Sequence, residues 1–132
     1  MTSPNGRYLL DTNIIIALLA GDKSVTNHLA SVIEVFLPSI AIGELYYGAY
    51  RSSRREENIK CIDQLVKSNS ILACNARTAH EYGLIKSHLS QKGRPIPEND
   101  IWIAALASNH NLIVVTRDEH FKHLEGLQID VW

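Results

Sequence analysis

Short apolar runs alternate with longer amphipathic stretches along the whole chain, and this alternation restricts the fold more than any other feature. Strands separated by helical segments favour βαβ units, because parallel neighbours need a crossover connection. Arg7–Leu10 reads as a first strand that ends at Asp11. Asn13–Ala20 reads as a short helix, apolar all round and closed by Gly21. Val25–Ile33 reads as a second helix. Val35–Leu37 is a short strand halted by Pro38. Ser39 is placed to cap the next helix, which carries Ile40, Ile42, Glu44, Leu45 and Tyr46. Ile59, Ile62, Leu65 and Val66 recur at helical spacing within Arg54–Lys67. Ile71–Ala73 reads as a third strand. Asn75 can cap a long helix that runs to about Gln91 and stops before Gly93. After a stiff loop over 93–97, Ile101–Ser108 reads as an apolar helix opened by Asp100. Leu112–Val115 is the clearest central strand. A short helix over Glu119–Leu124 and a strand over Gln128–Val131 follow. The expectation is one α/β domain over residues 1–132, built on a mostly parallel sheet.

Charge and cysteine content narrow the function. Thirteen Lys and Arg stand against fourteen Asp and Glu, for a net charge of −1. No global basic field advertises nucleic-acid binding, so any such contact must come from a local patch. The two cysteines, Cys61 and Cys74, fit neither a disulfide framework nor a zinc ribbon. They are expected to be buried or half-buried thiols in a reducing compartment. The most apolar segment, Ile14–Ala20, is far too short to span a bilayer. No N-terminal stretch has the pattern of a secretion signal. The cytoplasm is therefore the expected location, with no membrane role.

Four acids stand out against this background: Asp11, Glu44, Asp100 and Asp118. In open parallel sheets, ligands sit beyond the carboxyl ends of the strands. Asp11 ends the first strand, and Asp118 closely follows Val114-Val115-Thr116. Asp100 opens a helix after a proline-stiffened loop. Glu44 lies about one turn into a helix that follows a strand. Right-handed crossovers bring several such ends to one sheet edge. Converging carboxylates repel one another, and a divalent cation relieves the conflict. An all-oxygen ligand set favours Mg²⁺ or Mn²⁺ over zinc, and such ions serve phosphodiester chemistry. Each acid also has a plainer role: Asp11 and Asp118 could cap helices, and Asp100 could sit favourably at a helix N-terminus. Glu44 lies among apolar residues, where a carboxylate needs a reason.

Four blocks in order, Leu10-Asp11-Thr12-Asn13, Ser39 to Leu45, Asn99 to Ala107 and Leu112 to Asp118, resemble the PIN-domain family. The resemblance is closest to VapC-type toxins of toxin–antitoxin pairs and covers essentially the whole chain. It implies a three-layer α/β/α sandwich around a central, mostly parallel sheet. It also implies a Mg²⁺- or Mn²⁺-dependent endoribonuclease that hydrolyses RNA with a metal-activated water and without a covalent intermediate. Asp11, Glu44, Asp100 and Asp118 match the family's four acids. Asn13 and Thr116 match its supporting polar residues. A homodimer and a cognate antitoxin that silences the site are implied as partners. Whether one or two metal ions act stays open.

Other features have two readings each. Arg51, Arg54 and Arg55 could steer RNA or an antitoxin, or could form a solvated helix start balanced by Glu56 and Glu57. Lys86, Lys92 and Arg94 could face RNA, with ordinary surface charge favoured. His120 and His123 could share a helix face and ligate a metal if a carboxylate or another histidine lay nearby; surface histidines are strongly favoured. Tyr46, Tyr47 and Tyr50 could line a protein interface or fill core. Trp102 is expected to be partly buried, with base stacking as the alternative. A catalytically silent PIN-like module that only grips RNA or a partner is the main rival. A phosphoacceptor signalling domain is disfavoured, because the third strand ends in Ala73-Cys74-Asn75 without an Asp. A dinucleotide enzyme is disfavoured because no glycine fingerprint follows the first strand.

Overall fold

The computed structural model describes residues 6–132. Strand β1 (Arg7–Leu10) is followed by helices α1 (Thr12–Leu19) and α2 (Lys23–Ser31). Next come β2 (Glu34–Pro38), α3 (Ser39–Tyr50), α4 (Arg55–Ser68), β3 (Ser70–Leu72) and α5 (Ala76–Lys92). Helix α6 (Glu98–His110), β4 (Ile113–Val115), a 3-10 helix (Glu119–His123) and β5 (Ile129–Asp130) complete the order. The five strands form one sheet in the order β3-β2-β1-β4-β5, and every pairing is parallel.

The alternation of side chains along the strands divides the core into two layers. Tyr8, Leu10 and Val115 face one side and pack with Ile14, Ile15, Val25, Leu37 and Ala41. Leu9 and Val114 face the other side and pack with Ile101, Ile103, Leu106, Leu112 and Phe121. Helices α1 to α4 thus cover one face of the sheet, and α5 and α6 cover the other. This is the three-layer sandwich expected. Burial on both faces explains why β1 and β4 read as continuous apolar runs rather than alternating ones.

Local signals account for most boundaries. Asn75 caps α5 through a reciprocal pair: its side chain accepts from Thr78 N–H at 3.0 Å, and Thr78 Oγ1 accepts from Asn75 N–H at 3.2 Å. Gly93 ends that helix at φ 64°, where a Cβ would be strained. Three expectations need correction. Ser39 does not cap α3; Pro38 holds the cap position with extended backbone, and Ser39 is already helical. Helix α6 starts at Glu98, three residues before Ile101, because Pro97 fixes a helix-compatible φ just outside it. Asp100 therefore lies within the first turn, its N–H bonded to Pro97 O at 3.1 Å. Cys61 is exposed on α4, while Cys74 is half-buried; both are free thiols. Among the described residues, no helix is long and apolar enough to cross a membrane.

Candidate active site

Because all strands run parallel, their carboxyl ends share one edge, and the acids gather there. The β1–β4 register pairs Leu10 with Val115, so the next residues, Asp11 and Thr116, leave the sheet side by side. Asp11 N–H still bonds Val115 O at 2.9 Å. Asp11 is 3% exposed and Thr116 is 1% exposed. Thr116 Oγ1 donates to Asp11 Oδ2 at 2.7 Å and accepts from Asp118 N–H at 2.9 Å. One hydroxyl therefore positions two acids. Asp11 Oδ1 accepts from Thr12 N–H at 2.8 Å, which caps α1. The capping role and the site role of Asp11 coexist, one on each carboxylate oxygen.

Asp118 has the same dual character. Its Oδ1 caps the 3-10 helix by accepting from His120 N–H at 2.9 Å, and it meets His120 Nδ1 at 2.7 Å. Asp100 reaches this pair from the first turn of α6. Among the described residues, Asp100, Asp118 and His120 are the only three metal-ligating side chains that offer atoms within 4.8 Å of one another. Asp11 stands beside them. Glu44 joins from α3 on the Thr12 side of Asp11: it is exposed, and Thr12 Oγ1 donates to its Oε1 at 2.9 Å. Burial is therefore not what sets Glu44 apart from its apolar neighbours. Asn13 is exposed on α1, two residues past Asp11.

Electrostatics register the crowding. Burial raises the Asp100 carboxyl to about 7, with the charges of Asp11 and Asp118 adding to the rise. A hydrogen bond between the Asp100 and Asp118 carboxyls leaves the proton on Asp100. Asp11 is also raised, chiefly by burial and then by Asp118 and Glu44, against the lowering bonds from Thr116 and Thr12. For Asp118, burial pushes upward, but the backbone and ring of His120 and the Asp100 proton together hold the carboxyl below its ordinary value. Below about pH 7 the crowded site thus favours a proton on Asp100 while its neighbour Asp118 is held toward the charged form. His120 is the group that eases ionisation of Asp100.

Two participants were not assigned to the site from the sequence. His120 is exposed, as expected of a surface histidine, and is also bonded to Asp118. The available signal was an Asp-x-His step just after a strand, where a capped turn folds residue i+2 back onto the acid. Thr12 anchors Glu44, and its signal was a hydroxyl next to the strand-end acid. Several of the basic residues singled out in the sequence are engaged elsewhere. Arg54 pairs with Glu57 at 3.1 Å, Arg55 Nε donates to Tyr50 O at 3.0 Å, and Arg51 lies over the Tyr47 ring. Lys86 pairs with Glu98 and Lys92 with Glu125, so surface charge is the better description of both. Trp102 stacks on Tyr82 with ring centroids 4.1 Å apart. Tyr46 bonds Asp63, while Tyr47 and Tyr50 are exposed.

Against known proteins, the PIN domain family model matches residues 8–127. The chain belongs to the PIN-domain family. Its relatives within this family include VapC ribonucleases. Ribonuclease VapC2 of Haemophilus influenzae is 34% identical over 129 residues, covering 96% of this chain and 98% of the relative. The tRNA(fMet)-specific endonuclease VapC of Shigella flexneri is 33% identical over 135 residues, covering 96% and 98%. Among solved structures, the DNA-bound VapBC of Salmonella typhimurium superposes with a TM-score of 0.89 at 27% identity, covering 96% of this chain and 98% of that one. The VapBC2 of Rickettsia felis, bound to a promoter DNA fragment, gives 0.88 at 31% identity, covering 95% and 98%. This PIN domain therefore shares both fold and chain length with VapC proteins.

Proposed function

We propose that this PIN-domain protein is an endoribonuclease and the toxin of a toxin–antitoxin pair, acting in the cytoplasm. It would hydrolyse RNA phosphodiester bonds with Mg²⁺ or Mn²⁺. The observation that carries this reading is the Asp100–Asp118 pair, pressed together beside buried Asp11 so that Asp100 holds its proton up to about 7. Among the described residues, no Lys or Arg forms a salt bridge with Asp11, Glu44, Asp100 or Asp118. A divalent cation fits such a donor set, because it supplies the missing positive charge.

Asp11, Asp100 and Asp118 are the residues assigned to hold the ion. The chemistry such an ion supplies is activation of water and stabilisation of charge gathering on the phosphate. The protein's own groups do the rest. Thr116 fixes Asp11 and the backbone of Asp118 together, so the two acids keep a set spacing. Thr12 holds Glu44 at the exposed rim, where it can order an incoming water or help hold a second cation. Asn13 flanks the site on α1 and is assigned a supporting role. The exposed apolar residues Ile16, Leu19, Tyr47 and Tyr50 supply surface that a cognate antitoxin or the second subunit of a homodimer would cover.

The test is direct. Purified protein is incubated with mixed transfer RNA, including initiator tRNA, which the name of the Shigella flexneri relative specifies. Parallel tubes contain Mg²⁺, Mn²⁺ or EDTA, and Asp11→Asn is run alongside. Discrete fragments are expected with metal and wild-type protein only. A silent binding module would shift RNA on a native gel and leave it whole in every tube.

A further inference from the structure

His120 is the one nitrogen donor among the three side chains that come within 4.8 Å of one another at the acidic edge. Its place there follows from local geometry. Asp118 caps the 3-10 helix, and the turn folds residue 120 back so that both its backbone N–H and its ring Nδ1 meet Asp118 Oδ1. The ring is 52% exposed, which leaves it room to turn from Asp118 toward a shared ligand. A span of 4.8 Å suits donors grouped around one ion, since ligands about 2.1 Å from a small cation lie roughly 3–4 Å apart.

We infer that His120 is a metal ligand in its own right and sets the ion preference of the site. This inference rests on the reading above that the acids hold a divalent cation. Mg²⁺ favours oxygen ligands and keeps its waters, so an imidazole adds little to its binding. First-row transition ions accept imidazole nitrogen, with affinity rising from Mn²⁺ through Co²⁺ to Ni²⁺. An all-carboxylate site would treat Mg²⁺ and Mn²⁺ more alike. With His120 included, this site favours Mn²⁺ over Mg²⁺, and Co²⁺ more strongly still.

Pulsed electron paramagnetic resonance of Mn²⁺ bound to the wild-type protein tests this without any variant. Modulation from a directly bound ¹⁴N is expected. Calorimetry with Mg²⁺, Mn²⁺ and Co²⁺ is then compared between wild type and His120→Gln, with His123→Gln as the control. His120→Gln should lose the nitrogen signal and about tenfold or more in Mn²⁺ affinity. The loss should be larger for Co²⁺ and small for Mg²⁺, with His123→Gln unchanged. Mn²⁺ that binds tightly to wild type without nitrogen coupling would overturn the role of His120 and leave the nuclease reading standing. So would an equal loss for all three ions. Failure of wild type to bind any of them would sink both.

Discussion

Replacing Asp100 with Asn should stabilise the metal-free protein at pH 8, although it removes a residue of the proposed active site. Burial and the charges of Asp11 and Asp118 raise this carboxyl from 3.8 to about 7. The folded state therefore holds a proton that the unfolded chain has released across that window. Stability falls as pH rises through it, because the native state binds more protons there. Below about pH 4 the acid is neutral in both states and costs nothing; above about pH 7 the full penalty is present. At about 1.4 kcal/mol per tenfold change, the displacement sets a ceiling of roughly 4 kcal/mol. Water reaches this partly buried group and screens the repulsion, so about 1–2 kcal/mol is the working value. An Asn amide can still donate to Asp118, so the bond between the two side chains survives. For a domain of this size the gain is about 3–8 °C in Tm. The assay is thermal unfolding in EDTA at pH 4.5 and pH 8, repeated with Mn²⁺. Asp100→Asn should melt higher than wild type at pH 8 and close to it at pH 4.5. Added Mn²⁺ should raise the wild-type Tm at pH 8 and leave the variant nearly unmoved. A variant destabilised equally at both pH values would refute the crowding argument.

Three further outcomes follow from the same contacts. Thr116→Val keeps the shape of the residue but strips Asp11 Oδ2 of its donor and Asp118 N–H of its acceptor; about 1–3 kcal/mol of stability should be lost in urea unfolding, with weaker Mn²⁺ binding by calorimetry. Glu44→Gln should change stability by less than about 0.5 kcal/mol, because the side chain is exposed, yet slow RNA cleavage by roughly a hundredfold or more; an unchanged cleavage rate would remove Glu44 from the mechanism. Arg117 ties the loop of Thr116 and Asp118 to Trp132 O at 2.7 Å and to Asp22 at 3.1 Å. In Arg117→Gln, the Asp22 carboxyl, now held low chiefly by that guanidinium, should titrate closer to 3.8 by nuclear magnetic resonance.

Much of this arrangement was legible because parallel topology turns sequence order into place. Once β1 and β4 are read as adjacent parallel strands, Asp11 and Asp118 must emerge at one edge, and the Leu10–Val115 register sets Thr116 beside Asp11. Asp100 needed only the proline loop and the apolar helix after it. The start of α6 was misjudged because Glu98 and Asn99 are polar, while an N-terminal turn takes acidic residues readily through the helix dipole. Ser39 looked like a cap because the residue type fits, but the extended backbone of Pro38 already occupies that position. His120 was hidden for a different reason. Its contact depends on a single 3-10 turn, whose i to i+2 geometry leaves no periodic trace in composition. Thr12 and Glu44 meet across thirty-two residues, and only the packing of α1 against α3 brings them together.

The most direct measurement is a crystal of the wild-type protein soaked in Mn²⁺, with anomalous scattering recorded at the manganese edge. One strong peak is expected within bonding distance of Asp100 and Asp118, adjacent to Asp11, and it should vanish in Asp118→Asn. No peak at that edge of the sheet, or one bound elsewhere, would contradict the proposed metal site.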